Sequence, residues 1–548
     1  MLIAPVYWAN RLPRPETYMQ LTPSHKRLVL LGLALALAAA GLLAGRSPLV
    51  AAFPIALVLA LMIGLRWSGQ RAGVAGWLVG LVAAMAGFGL TPDVLWVSQV
   101  KGLFISLNVL WILWPSLLLY HLVAEAGGIE AMARALQSLI RTRGLLLVVI
   151  AWAFSGMLEG LAGFGLPVAI VAPMLVNLGV APVLAVAAVA VGHAWSVTFG
   201  DMGVIYETLR QLVAVDDASL TTLSAGLLGV ACLLTGLAAA RILGHAAHWR
   251  AIALLAAGMS AAQYGLAVIG LTPLAAFGAG LSGIALALPI SQGSRSLAAL
   301  RQVTVTPALR SAIASYGTLA ALLTLITLIA PLQAALDHLR WTPTLPAVTT
   351  GDGFTTLPHT QTVQPLAHPG TLILLVAALS AWGFRRAGLN APRNGQRAIQ
   401  ATARAATPAT IGIVTMVGLS TLMEYTGMTQ LLAESAADLL DAAFPLFSPL
   451  IGMLGAFATG SNNNSNVLFA GLQEHIAVLL SIAPGLLVAA QTTGGALGSM
   501  IAPAKIIVGC STVGLRGQDG DVLRITLPYG LAIGALIGAL TLALSLVG

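Results

Sequence analysis

The sequence predicts an all-α polytopic membrane protein of about 12–14 membrane segments, built from two inverted copies of a re-entrant hairpin followed by a discontinuous helix. Three observations carry this prediction. Hydrophobic residues fill 58% of the 548 positions and charged residues 8%, with mean hydropathy +0.93. No water-soluble domain presents such a surface, so the solvent is lipid. Apolar windows of the ~20 residues needed to span a ~30 Å hydrocarbon core recur along almost the whole chain. Two of them, 167–200 and 467–511, are too long and too interrupted by glycine and polar residues to be single helices.

In chain order, a polar lead of 27 residues precedes an apolar run from Leu28 to Leu43 (window 28–45), and a second run, Leu49 to Leu65, follows at once. This reads as a helical hairpin rather than a cleaved signal peptide. Windows near 72–89, 102–123 and 144–158 lead into 167–200, and 220–243, 251–270, 273–290 and 308–331 come after it. The stretch WTPTLPAVTTGDGFTTLPHTQTVQPLAHPG (341–370) is Thr/Pro-rich with few charges, and 332–369 is expected to be an extramembrane linker. Windows 370–384, 405–426, 446–459, 467–511 and 525–547 complete a single integral-membrane domain over 1–548.

The net charge of +8 does not mark a nucleic-acid binder, because the basic residues stand singly or in small groups between apolar windows. Lys26, Arg27, Arg66, Arg71, Arg134, Arg141, Arg143, Arg241, Arg250, Arg295, Arg301, Arg310, Arg385, Arg386, Arg393, Arg397 and Arg404 fall in alternate loops, which are therefore assigned to the cytoplasm. The intervening loops are poor in Lys and Arg or acidic, as at Asp216, Asp217, Glu434, Asp438 and Asp441. The two cysteines, Cys232 and Cys510, lie inside apolar windows and offer neither metal spacing nor a disulfide framework.

Two segments resemble each other. GGIEAMARALQSLIR (127–141) leads into FSGMLEGLAGFGLPVAI, and TGMTQLLAESAADLL (426–440) leads into GAFATGSNNNSNVLFAGL. An offset of 300 places Gly160 on Gly460, and HAWSVTFGDMG (193–203) matches QTTGGALGSMI (491–501) at an offset of 298. The charge rule puts the first lead-in helix inside and the second outside, so repeats over 105–243 and 405–548 are expected to be inverted.

Each copy contains non-helical backbone inside an apolar window. Such backbone costs several kcal/mol per unsatisfied group unless protein or a lined cavity supplies partners. The amides of Asn462, Asn463, Asn464 and Asn466 can donate to a carboxylate and accept from a hydroxyl without the cost of a buried ion. The alternative is that they only cap two half-helices. In the first copy EGLAGFGLP (159–167) takes that place, with Glu159 as an intramembrane acid suited to proton carriage, or else neutral and bonded to backbone. His193 and Asp201 lie on the first interrupted segment, where a lone histidine is often a structural group. Lys505 stands eleven residues before Arg516, ~16 Å along a helix, too deep to snorkel. It needs a partner, and repeat symmetry names Asp201 first and Glu159 second.

LEGLAGFGLPVAI, TGSNNNSN-LF and TTGGALGSMIAP with its following cysteine-bearing helix resemble the bacterial L-lactate permease family, lactate and glycolate proton symporters. The specific likeness covers about 152–203 and 455–515, in a divergent pattern with Asn462, Ala504 and His193–Ser196 standing where the family has other residues. It implies a secondary transporter of the ion-transporter type in the bacterial cytoplasmic membrane. Its partners would be a small carboxylate, protons and the bilayer, with no cofactor, metal or nucleic acid. Carried over by position, Glu159, Gly160, Gly163, Gly165, Gly460, Ser461, Asn464 and Asn466 would form the binding tips, and Thr492, Thr493, Gly494, Gly495, Gly498 and Pro503 the second helix break. The expected substrate-binding set is thus Gly163, Gly165, Ser461, Asn462, Asn463, Asn464, Asn466, Thr492, Thr493, Gly494, Gly495 and Lys505, with Glu159, His193 and Asp201 for proton coupling. Two other readings remain open here. One is an exchanger or exporter of another organic anion, favoured by Lys505. The other is an intramembrane enzyme, for which HExxH, GxSxG and GxGD are all missing and TFGD (198–201) is the nearest approach.

Overall fold

The computed structural model describes residues 46–65, 67–163, 165–389, 394–515 and 517–547. The window at 28–45 with Lys26 and Arg27, and also Arg66, Arg393 and Arg516, lie outside the described residues. Among the described residues eleven helices are long and apolar enough to cross a membrane, and Pro48–Ile63 and Leu166–Asn177 are shorter apolar helices.

One set of elements occurs twice in the same order. The first set comprises a long helix Pro92–Glu125, a short arm helix Gly128–Leu139, a hairpin (Arg143–Leu161 and Leu166–Asn177), a broken helix (Pro182–Gly192 and Val204–Leu212) and a closing helix Asp217–Ile242. The second comprises Asn394–Tyr425, Met428–Leu440, a hairpin (Phe444–Thr459 and Asn462–Leu479), a broken helix (Pro484–Gly498 and Pro503–Thr512) and Asp519–Ser545. Local chemistry sets these boundaries. The turn into each arm helix is a left-handed glycine, Gly127 (φ 75°) and Gly427 (φ 77°), a conformation that L side chains avoid. Prolines 92, 182, 484 and 503 open their helices where the missing N–H costs nothing.

The two long helices run antiparallel along each other. Lys101 Nζ, near the start of one, meets both Glu424 oxygens at 2.8 and 3.0 Å near the end of the other. Trp114 donates to Thr410 midway at 3.1 Å, and Asn394 Nδ2 donates to the Glu125 carbonyl at the far end at 3.2 Å. Helices Trp249–Val268, Thr272–Gln292, Pro307–Leu328 and Pro369–Arg386 connect the sets.

The segment 332–369, expected as a linker, is ordered. Trp341↔Val363, Thr344↔Thr360, Leu345↔His359, Val348↔Thr356 and Thr349↔Thr355 are one continuous antiparallel register, a β-hairpin with its turn at 350–354. Leu345 and Val348 bury themselves against Val94, Val97 and Tyr425, at the ends of the two long helices. The Gly351 N–H also donates to the Gly89 carbonyl at 2.7 Å. Strands of only two residues in Thr/Pro-rich sequence give no alternation pattern long enough to read.

Candidate functional site

The first hairpin descends through a π-turn, Ile150–Phe154, into Ser155–Leu161, whose last turn carries Glu159. The chain then leaves the helix at Ala162 and Gly163, passes a left-handed Gly165 (φ 83°) and re-enters helix at Leu166 with Pro167 in the first turn. Gly163 has no room for a side chain. A Cβ there would stand 2.7 Å from Glu159 Oε1 and 2.8 and 2.9 Å from the two Asp201 oxygens, so both carboxylates crowd one backbone position. The Gly163 N–H donates to Asp201 Oδ1.

The first break runs from His193 to Gly203. After Gly192 the chain makes one 3₁₀ turn at Ala194–Ser196, extends at Gly200 and then places Asp201 (φ 52°), Met202 (φ 55°) and Gly203 (φ 80°) in the left-handed region. Two non-glycine residues there cost roughly 1–2 kcal/mol each, strain of the kind that gathers at functional sites. Asp201 is held in that conformation by the Gly163 N–H. His193 Nδ1 lies 2.7 Å from the Val189 carbonyl, and its Nε2 lies 3.9 Å from Glu159 Oε2.

At the second tip Thr459 ends one helix, Gly460 turns left-handed (φ 71°), and the Ser461 hydroxyl caps the next by accepting from the Asn464 N–H. Asn462 and Asn466, one turn apart, face the second broken helix. Asn462 Nδ2 donates to Thr198 Oγ1 (3.1 Å) and to the Thr492 carbonyl (3.2 Å), Asn466 Nδ2 donates to Thr492 Oγ1 (3.0 Å), and Thr198 and Thr492 hydroxyls are 3.1 Å apart. Asn463 is buried with neither amide atom partnered. Asn464 turns away, half-buried, its Nδ2 3.4 Å from where a Cβ on Gly69 would stand.

The second break lies at Ser499–Ala502, between Gly498 and Pro503 of the expected set, while Thr492–Gly495 of that set lie before it. Those four residues are helical. Thr493 donates to the Ala489 carbonyl at 2.7 Å. A Cβ on Gly494 would stand 2.6 Å from Pro449 Cα and one on Gly495 2.9 Å from Asn462 Cγ, so this glycine pair admits a neighbouring helix rather than unwinding its own.

The helix that restarts at Pro503 touches both tips. Ala504 Cβ is 3.2 Å from the Cβ position of Gly460, and Lys505 Cγ is 3.8 Å from that of Gly165. Lys505 Nζ lies 3.4 Å from Glu159 Oε1, with both side chains buried. Glu159 is therefore its ion-pair partner, and Asp201, the residue repeat symmetry named first, is engaged by backbone instead. Helix N-termini at Leu166, Asn462 and Pro503 gather here beside the unsatisfied amide oxygens of Asn462, Asn463 and Asn466, and such termini suit an anion. Among the described residues no three His, Cys, Asp or Glu side chains are placed to hold a metal ion.

Three residues of this region escaped the sequence reading. Thr198, on the first break, bonds Asn462 of the second tip and Thr492 of the second broken helix, and Gln473 and Gln491 clamp the second hairpin to its broken helix. Gln473 Nε2 donates to Gln491 Oε1 (3.2 Å), and Gln491 Nε2 donates to Ser465 Oγ (3.1 Å). Their signal was a polar residue inside an apolar window, shared with many uninvolved serines and threonines.

The sequence matches the family model described as L-lactate permease over residues 47–273 and 297–548. It is 27% identical to the L-lactate permease of Salmonella typhimurium over 541 residues, covering 90% of this chain and 95% of that one. It is 26% identical to the glycolate permease GlcA of Escherichia coli, covering 91% and 95%. Among solved structures, Neisseria gonorrhoeae MtrF aligns with a TM-score of 0.48 at 15% identity, covering 87% of this chain and 94% of that one.

Proposed function

This chain belongs to the L-lactate permease family, and from that premise we propose that it takes up a small 2-hydroxy monocarboxylate (L-lactate, D-lactate or glycolate) by proton symport. It is a multi-pass protein of the bacterial cytoplasmic membrane. The observation that carries the reading is the convergence of both hairpin tips on the second break, which sets a neutral polar wall beside a charged one. Asn462, Asn466, Thr198 and Thr492 form the neutral wall, and Glu159, His193, Asp201 and Lys505 form the charged one. The neutral wall can hold a carboxylate and hydroxyl through hydrogen bonds that also let them leave. The charged wall supplies carboxylates for a proton, and Lys505 a cation within reach of the substrate's own charge. L-lactate and glycolate permeases among the relatives support the substrate class.

Alternating access in this reading uses the inverted pair of element sets. Its support is the antiparallel course of the two long helices, from Lys101–Glu424 at one end to Glu125–Asn394 at the other. The test is uptake of labelled short carboxylates into proteoliposomes with and without an imposed pH gradient. Accumulation of 2-hydroxy monocarboxylates driven by the gradient is expected. Transport indifferent to the gradient would remove proton symport, and exclusive anion-for-anion exchange would establish an exchanger.

A further inference from the structure

A symported proton needs a seat, and the first tip provides one that differs on its two sides. Glu159 Oε1 faces Lys505 Nζ at 3.4 Å. Glu159 Oε2 has no hydrogen-bond partner and faces His193 Nε2, also without one, at 3.9 Å. A carbonyl can only accept, so the 2.7 Å contact between His193 Nδ1 and the Val189 oxygen places the ring hydrogen on Nδ1. Nε2 of the neutral ring then presents a lone pair to Oε2. Two fully buried acceptors confront each other, and one added proton gives them a hydrogen to share once they close from 3.9 Å to hydrogen-bond distance. Of the other carboxylate at this point, Asp201, Oδ1 accepts the Gly163 N–H.

We infer that the coupling proton is carried between Glu159 Oε2 and His193 Nε2, and that Lys505 is the lever that admits it. The inference rests on the symport reading above. In the empty state the ammonium neutralises Glu159. An arriving carboxylate draws Lys505 toward itself, and a proton then replaces the ammonium as the group that neutralises Glu159. With Glu159 and Asp201 ionised and Lys505 charged, the empty cluster carries one net negative charge. With one anion and one proton added it carries the same charge, so the buried charge does not change on loading. Anion and proton thereby assist each other's binding through one side chain, which is the reciprocity that coupling requires.

The test reads accumulation and proton uptake in proteoliposomes, using L-lactate as the probe. Glu159→Gln keeps the shape of the side chain but cannot carry the proton, and is expected to lose both accumulation driven by a pH gradient and the proton uptake that L-lactate triggers. His193→Gln, which substitutes an amide of similar reach, is expected to move the pH at which accumulation is half-maximal. Lys505→Met is expected to abolish the proton uptake that L-lactate triggers in the parent protein. In case these variants fail to insert, an infrared difference spectrum of the unsubstituted protein on L-lactate addition reads the same event. A carboxylic-acid C=O band that shifts in D₂O should appear. Gradient-driven accumulation in Glu159→Gln equal to the parent, or no such band, overturns the inference. Absence of both exchange and accumulation of any 2-hydroxy monocarboxylate in the parent protein would instead refute the symport reading on which it rests.

Discussion

Asn464 and Asn466 are two residues apart in one asparagine-rich run, yet the fold assigns them opposite surroundings. Asn466 is fully buried, with Nδ2 on Thr492 and Oδ1 unpartnered, at the junction of tip and broken helix. Asn464 is half-buried on the other face beside Gly69. Replacing Asn466 with alanine removes one neutral hydrogen bond, which costs stability only ~1 kcal/mol. Under the proposed function the second N–H of its amide donates to the substrate carboxylate, and losing that donor costs ~1.5–3 kcal/mol. That amounts to a loss of affinity of about tenfold to 150-fold. Asn464→Ala makes neither change, and its affinity should stay within about threefold, the ±0.5 kcal/mol typical of substitutions away from key contacts. Half-saturation of L-lactate exchange in proteoliposomes, normalised to inserted protein, measures both. No loss in Asn466→Ala would show that the run serves only to cap the helix, and equal losses in the two variants would refute the division of faces.

Three further outcomes are expected. Cysteines introduced by Ser138→Cys and Asp438→Cys, on the two arm helices, should label from opposite sides of the membrane, Ser138→Cys from the cytoplasm; labelling from one side would contradict inversion. Gly163→Ala places a Cβ within 2.9 Å of three carboxylate oxygens and should abolish uptake while Gly226→Ala, where a Cβ meets nothing within 4 Å, leaves it intact. In the β-hairpin, burial and then the nearby Lys101 hold His359 below the ordinary histidine value of 6.5. Below that value the unfolded hairpin therefore binds more protons than the folded one, so hairpin stability falls as pH drops beneath about 6.5. Amide-exchange protection over 341–363, corrected for intrinsic rates, should decline on acidification and lose that dependence in His359→Gln.

What the sequence revealed and concealed follows from where each feature's energy resides. Glu159 and the Asn462–Asn466 run stood out because a polar group in an apolar window is costly wherever its partners turn out to be. The second break was expected too broadly, from Thr492 to Pro503, because Gly494–Gly495 reads equally as a point of unwinding or as a groove for a neighbouring helix, and only Pro449 and Asn462 decide between them. Lys505 was correctly expected to need an opposite charge, but the choice between Asp201 and Glu159 depended on a backbone N–H from Gly163 that no side-chain pattern records. Thr198 gave only the signal of a polar residue in an apolar window, which it shares with hydroxyls that bond their own helix, as Thr493 does.

The ion pair between Glu159 and Lys505 joins residues 346 positions apart, and this has a consequence for biosynthesis. At synthesis rates of about 5–20 residues per second, roughly 20–70 s pass between emergence of the acid and emergence of its cation. Throughout that interval the first hairpin must reside in the membrane without the cation that pairs with its carboxyl. A nascent chain stalled or truncated before Pro503 would retain this exposed polar group at the heart of an otherwise greasy assembly, a mark by which membrane proteases could distinguish an unfinished molecule from a complete one.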